Sequence, residues 1–257
     1  MQSKSLIALA ASTSVALAAT PSGFEPSSEN SLLVTYGDVA ALDGTVVAKD
    51  ITQVSPTIAT QSKLDGSSFA ILMIDLDIPT TNPPETNTLL HWLQTGLTQS
   101  SSAVALNTTS GSTNAFVLSV PQDVAAFAEY LGPAPPARIP LSHEYTEIIV
   151  DTSDASEEGL SALKTAAANR LGFNAQSVLT SAGLADKVVA GNYFVVTNPG
   201  PVQDTIASNS TTGGGNDTNS GSSPSASPSP ITNAAVLHRA SASLLAIMIV
   251  GVAFLAL

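Results

Sequence analysis

No cysteine occurs in the 257 residues. That absence excludes a disulfide scaffold, a zinc-thiolate centre and a thiol nucleophile. Basic residues are almost as scarce, with 8 Lys and Arg against 20 Asp and Glu. A net charge of −12 argues against a phosphate-backbone binder, which needs clustered cations. Only 11% of the chain is charged, so ion pairs cannot be its main stabilising force. A packed apolar core must fill that role. No G-x-S-x-G elbow is present. The sequence shows no sign of an enzyme and implies no cofactor.

Both ends of the chain have the pattern of addresses rather than fold. In residues 1–19, Lys4 precedes an apolar stretch from Leu6 to Leu17, and Ala16-Leu17-Ala18 forms an A-x-A cleavage site. This order predicts a secretory signal peptide. At the other end, Leu244 to Leu257 is a 14-residue run without charge. It would cover about 21 Å as a helix, short of the roughly 30 Å hydrocarbon core. Small residues at Asn233, Ala234 and Ala235, a short spacer and this tail predict a GPI attachment signal over 234–257, with Asn233 as the ω-site. The expected location is the outer face of the plasma membrane or the cell wall, with the membrane reached through the GPI lipid. Removal of both ends would leave six bases against twenty acids, a net charge of −14, and two histidines, His91 and His143.

Residues 208–233 are rich in Ser, Thr, Pro and Gly, with almost nothing to bury. The composition predicts a disordered, glycosylated stalk. Sequons at Asn107, Asn209 and Asn216 fit a secreted chain, the first of them in a Ser/Thr-rich loop. The globular part is then residues 20–207. Strands are expected at 32–36, 45–48, 69–75, 89–94, 116–119, 145–150 and 193–197. Phe69 to Ile74 is apolar without alternation, as in a central strand covered on both faces. A helix is expected from a capping box of Asp154 and Glu157, with Leu160, Leu163, Ala167 and Leu171 on its inner face and Gly172 at C′. A second is expected from Asn174 to Ala182, stopped by Gly183. Many strands with two late helices make this a mainly β, β-rich α+β domain.

The candidate chemistry gathers around the histidines. The central strand ends in Asp75-Leu76-Asp77-Ile78-Pro79, where a period of two puts both carboxylates on one side. A twelve-residue loop is expected before Leu90-His91-Trp92. Tyr130-Leu131-Gly132-Pro133-Ala134-Pro135-Pro136 is a stiff segment, and His143-Glu144-Tyr145 opens a further strand. Alternation places His143 and Tyr145 on one face and Glu144 on the other. Two imidazoles and a phenol meeting at one spot suit a phosphate or carboxylate, with Asp75 orienting a histidine. Two His and two Asp are also possible metal ligands, but the loop prolines and Tyr145 fit anion capture better.

The ordered set DLDIP, LLHWL, YLGPAPP, SHEY and AGNYF resembles the phosphatidylethanolamine-binding protein family across about 180 residues. The resemblance implies a large central antiparallel sheet flanked by a smaller sheet and peripheral helices. It implies a small anion pocket formed by Asp75, Pro79, His91, Pro136, His143 and Tyr145, with Asp77 and Gly132 shaping the loops. The implied partner is a small anion or phospholipid head group. Some fungal relatives inhibit a serine carboxypeptidase through an N-terminal segment, here only about Thr20 to Glu29, so a secreted carboxypeptidase is the alternative partner. The chain departs from the family pattern at Leu76, Ile78, Ala134, Arg138 and Pro140, and Glu144 replaces the Arg after the second histidine.

Overall fold

The computed structural model describes residues 19–202. Most of the signal sequence, Asn209, Asn216, Asn233 and all of 203–257 lie outside the described residues. Nine strands are described: β1 (Leu32–Tyr36), β2 (Val39–Ala40), β3 (Thr57–Thr60), β4 (Phe69–Pro79), β5 (Thr86–Gln99), β6 (Val104–Thr108), β7 (Gly111–Ser119), β8 (Ser142–Asp151) and β9 (Val188–Thr197). Two helices, α1 (Glu157–Ala167) and α2 (Ala175–Ser181), separate β8 from β9.

Every strand pairing is antiparallel, in the order β2-β1-β3-β7-β5-β4-β8-β9, with β6 on β7. The larger part is β5-β4-β8-β9. The smaller part, β2-β1-β3-β7-β6, joins it through two residue pairs, Thr98 with Ser119 and Gln99 with Leu118. A large antiparallel sheet with a smaller companion and peripheral helices is the architecture that the family resemblance implies.

β4 shows why its apolar run does not alternate. Phe69, Ile71 and Met73 enter a core shared with β1, β3, β8 and β9. Ala70, Leu72 and Ile74 enter a second core, against Leu163, Ala167 and Leu179 of the helices. The strand is buried on both faces because each face has its own cover. Gly191 on β9 permits a close approach of the N-terminal segment. A Cβ there would stand 2.5 Å from Thr20 Cγ2. Among the described residues no helix is long and apolar enough to cross a membrane.

Several expectations need correction. Residues 45–48 form no strand. Val46 makes one parallel bridge to Val195, and its own side chain is exposed. β2, β3 and β6 were not expected. Only six residues, 80–85, separate β4 from β5, because β5 starts at Thr86. Asn107 lies exposed on β6 of the β6–β7 hairpin, not in a loop. The cap of α1 is Ser156, whose hydroxyl accepts from the Gly159 amide at 3.0 Å, so the Asp154 capping box does not form. α1 stops at Ala167, well before Gly172. The chain leaves the helix to meet β5, with the Leu90 amide donating to the Arg170 carbonyl at 2.9 Å and the Gly172 amide to the Thr88 carbonyl at 2.8 Å. Leu171 is consequently exposed. α2 runs as expected, capped by Asn174 and followed by Gly183 at φ +70°.

Candidate functional site

Two irregularities in the β4–β5 ladder build the site. Met73 pairs with Trp92 and Ile74 with Leu90, which leaves His91 without an opposite residue. Such a bulge re-aims side chains. Here it turns the consecutive residues His91 and Trp92 toward the same core: Trp92 packs within it, and the His91 ring meets Tyr145 edge-on at 5.1 Å. A second shift lies between Asp75 and Ile78. It breaks the period of two, so simple alternation does not describe the two carboxylates. Asp75 Oδ1 accepts from the Asp77 amide at 2.8 Å, and Asp77 Oδ2 accepts from the Glu144 amide at 2.7 Å. Asp77 thus ties the end of β4 to β8.

Asp75 is the hub. It pairs in register with Tyr145 on β8. Its Oδ2 accepts from Nδ1 of His143 at 2.8 Å and lies 3.8 Å from Nε2 of His91. His143 and Tyr145 share a face of β8, with ring centroids 6.4 Å apart. Tyr145 in turn stacks on Phe194 at 5.5 Å. Asp75, His91, His143 and Tyr145 are all buried, whereas Glu144 between the last two is partly exposed.

The segment 131–140 lies over this group as a strap. Nδ1 of His91 donates to the Leu131 carbonyl at 2.7 Å, and the Leu131 amide donates back to the His91 carbonyl at 2.9 Å. Gln53 Nε2 holds the Pro133 carbonyl at 2.9 Å, Asn198 Nδ2 holds that of Pro135 at 2.8 Å, and Arg138 reaches the Thr80 carbonyl at 3.0 Å. Gly132 is needed for the first of these ties. A Cβ there would come within 3.0 Å of the Gln53 backbone. Pro133 and Pro135 are buried, and Pro136 is exposed. Pro79 is the last residue of β4, opposite Thr86 and four residues beyond Asp75.

Three polar atoms of this cluster are buried without a hydrogen-bond partner: His91 Nε2, His143 Nε2 and the Tyr145 hydroxyl. Buried polar groups are seldom left so, and three in one place are the strongest sign of a binding site in the domain. Burial pushes the Tyr145 hydroxyl far above the usual tyrosine range, with Asp75 adding to it, so it stays a phenol. It lies beside the Asp75 carboxylate and the Ala134 amide without a well-formed bond to either. Burial also lowers the His91 pKa, against the opposing effects of the Leu131 carbonyl and Asp75.

Sequence reasoning missed Arg170. Its guanidinium donates to the carbonyls of Leu90 at 3.2 Å, His91 at 3.1 Å and Glu129 at 2.8 Å, fixing the bulge from behind. Its only signal was scarcity, as one of six bases between the two terminal signals. Among the described residues no cluster of three or more His, Cys, Asp or Glu is placed to hold a metal ion.

The chain is 31% identical over 204 residues to Phomoidride biosynthesis cluster protein N of Talaromyces stipitatus, covering 74% of this chain and 94% of that protein. Among solved structures it is similar to carboxypeptidase Y inhibitor complexed with its cognate proteinase, at 18% identity and TM-score 0.46, covering 66% of this chain and 83% of that one. It is also similar to the phosphatidylethanolamine-binding protein from Plasmodium vivax, at 16% identity and TM-score 0.46, covering 68% and 91%. The family model for phosphatidylethanolamine-binding protein matches residues 30–194, so the chain belongs to the phosphatidylethanolamine-binding protein family.

Proposed function

We propose that this protein is a cell-surface binding protein whose pocket takes small phosphate or carboxylate anions, phospholipid head groups among them. The observation that carries this is the convergence of unpartnered His91 Nε2, His143 Nε2 and Tyr145 hydroxyl beside one another. Asp75 holds His143 rather than meeting the ligand. With the three atoms covered, the strap 131–140 must give way for a ligand to enter. The negative surface gives no long-range attraction for anions, so affinity rests on the local groups.

The secreted, GPI-anchored form rests on the two terminal signals, with a domain over 20–207 and a stalk over 208–233. Phospholipase C should release the protein from intact cells, and retention of Leu244–Leu257 in the membrane would refute the anchor. The N-terminal segment favours binding over protease inhibition. Thr20 and Ser28 are buried, and the Ala19 amide donates to the Ser28 carbonyl at 2.9 Å. A segment packed onto its own domain is not free to enter a protease.

Tyr145→Phe is the cleanest test of the pocket, because it removes one hydroxyl and keeps the ring on Phe194. Phosphate affinity measured by calorimetry should fall roughly tenfold, matching the worth of one hydrogen bond to a charged group. Unchanged affinity would remove Tyr145 from the site.

A further inference from the structure

The hydrogen bonds of the two histidines restrict which ligand the pocket can accept. Nδ1 of His91 is 2.7 Å from the Leu131 carbonyl. A carbonyl only accepts, so this nitrogen carries hydrogen. Nδ1 of His143 is 2.8 Å from a carboxylate oxygen of Asp75, which also accepts. A neutral imidazole has a single N–H. In its neutral form each ring therefore presents a bare lone pair at Nε2, and these are the two unpartnered nitrogens of the site.

Two lone pairs do not match a fully deprotonated oxyanion, whose oxygens are themselves acceptors. The Asp75 carboxylate, 3.8 Å from His91 Nε2, makes the mismatch worse. The phenol of Tyr145 offers one hydrogen, too few for both needs. A hydrogen must therefore sit between an Nε2 and the ligand.

We infer that the pocket takes an oxyanion only together with one proton, carried on Nε2 of one imidazole or on a ligand oxygen. This rests on the anion-binding function proposed above. The proton comes from solvent or arrives on the ligand, and no other bond forms or breaks. Dihydrogen phosphate, a singly protonated phosphate monoester or an undissociated carboxylic acid brings its own hydrogen. Sulfate has none near neutral pH, so a ring must take one up.

The charged and titratable groups around the rings decide where the proton settles. His91 faces Asp75 from β4, His143 and Tyr145 from β8, and Arg170 from the segment after α1. His143 faces Asp75, Asp77, His91 and Tyr145. Burial lowers the His91 pKa, and Arg170 and His143 contribute further in the same direction. The adjacent Asp75 carboxylate opposes that lowering at His91.

The test is calorimetric titration of the secreted protein with sulfate and with phosphate between about pH 6 and pH 8, the histidine range. Two buffers of different ionisation heat report proton uptake, and nitrogen-15 spectra report hydrogen at each Nε2. Sulfate affinity should fall about tenfold per pH unit, with uptake of one proton. Phosphate affinity should follow the abundance of its dihydrogen form, and a proton-bearing Nε2 or a ligand-borne hydrogen should appear on binding. Phosphate binding of this kind without sulfate binding also supports the inference and puts the proton on the ligand. Binding of either anion with constant affinity and no proton uptake would overturn the inference and leave the anion pocket standing. Failure of both anions to bind throughout this range would overturn both.

Discussion

One face of β8 carries two buried polar clusters, and they are built differently. At the strap end, Asp75 has both oxygens engaged, by the Asp77 amide and by His143, and the unpartnered atoms belong to His91, His143 and Tyr145. Farther along the strand, Glu147 accepts from Asn192 Nδ2 at 3.3 Å, and its other oxygen has no partner. Burial pushes the Glu147 carboxyl up to about 8, offset in part by Asn192. Asn192 also donates to the Ala41 carbonyl at 2.7 Å, and its own oxygen accepts from the Asp43 amide at 3.3 Å. This perturbed acid thus belongs to an internal brace between β8, β9 and the chain after β2. A displaced pKa alone does not mark a binding site. What marks the strap-end cluster is that its carboxylate is satisfied and its ring nitrogens are left over.

The largest expected effect breaks the first cluster. His143→Ala would leave a buried carboxylate oxygen of Asp75 without its donor, at a cost of about 3–5 kcal/mol. From the sequence alone the fold is expected to survive this change. The buried pair reverses that expectation. Urea unfolding measures it, and a loss below about 1 kcal/mol would show that His143 does not brace Asp75.

The second expected effect belongs to Glu147. Its folded pKa of about 8 exceeds its ordinary 4.5, so the folded state holds a proton that the unfolded state releases between these values. The stability it contributes is full below about pH 4.5 and is lost as pH rises toward about 8. Glu147→Gln should flatten this slope and stabilise the protein by a few kcal/mol at the upper end, with little change at the lower. Unfolding free energy against pH decides it. Equal slopes in both proteins would mean that Glu147 titrates normally. Asn192→Ala comes next. It strands the Ala41 carbonyl and the Asp43 amide, for a loss of about 1–3 kcal/mol. It also removes the bond that holds the Glu147 pKa down, so the pH window should move upward. A window that stays in place would separate Asn192 from Glu147.

These clusters differ in how much of them the sequence reveals. The strap-end group is legible because its histidines are scarce and stand beside prolines in a motif order shared with a known family. Its geometry is not legible, since both ladder shifts depend on how β5 meets β4. A period of two cannot foresee that His91 and Trp92 face one way. Glu147 was readable in principle. It continues the alternation of His143, Tyr145 and Ile149 on the core face. The doubly covered β4 and the helix α2 follow from local pattern alone. Residues 45–48 and the end of α1 do not, because a partner strand decides both. One bridge to β9 is all that residues 45–48 obtain, and β5 draws the chain out of the helix before Gly172.

The smallest expected effect tests the face itself. Glu144 lies between His143 and Tyr145 but is partly exposed, as alternation requires. Partial burial raises its pKa, and the nearby Asp77 carboxylate raises it further. A raised carboxyl pKa means stability lost as pH climbs through the acid range, so Glu144→Gln should help at pH 7 and not near pH 4. Solvent screens this partly exposed pair, which keeps the gain within about 0.5 kcal/mol. The amide of residue 144 donates to Asp77 from the backbone, so the substitution leaves that tie intact. Anion affinity should change by less than about twofold, because the side chain points away from the histidines and affects the pocket only through a screened charge. Calorimetry on Glu144→Gln beside the Tyr145→Phe variant makes the comparison direct. Loss of binding in the first with none in the second would put the pocket on the opposite face of β8.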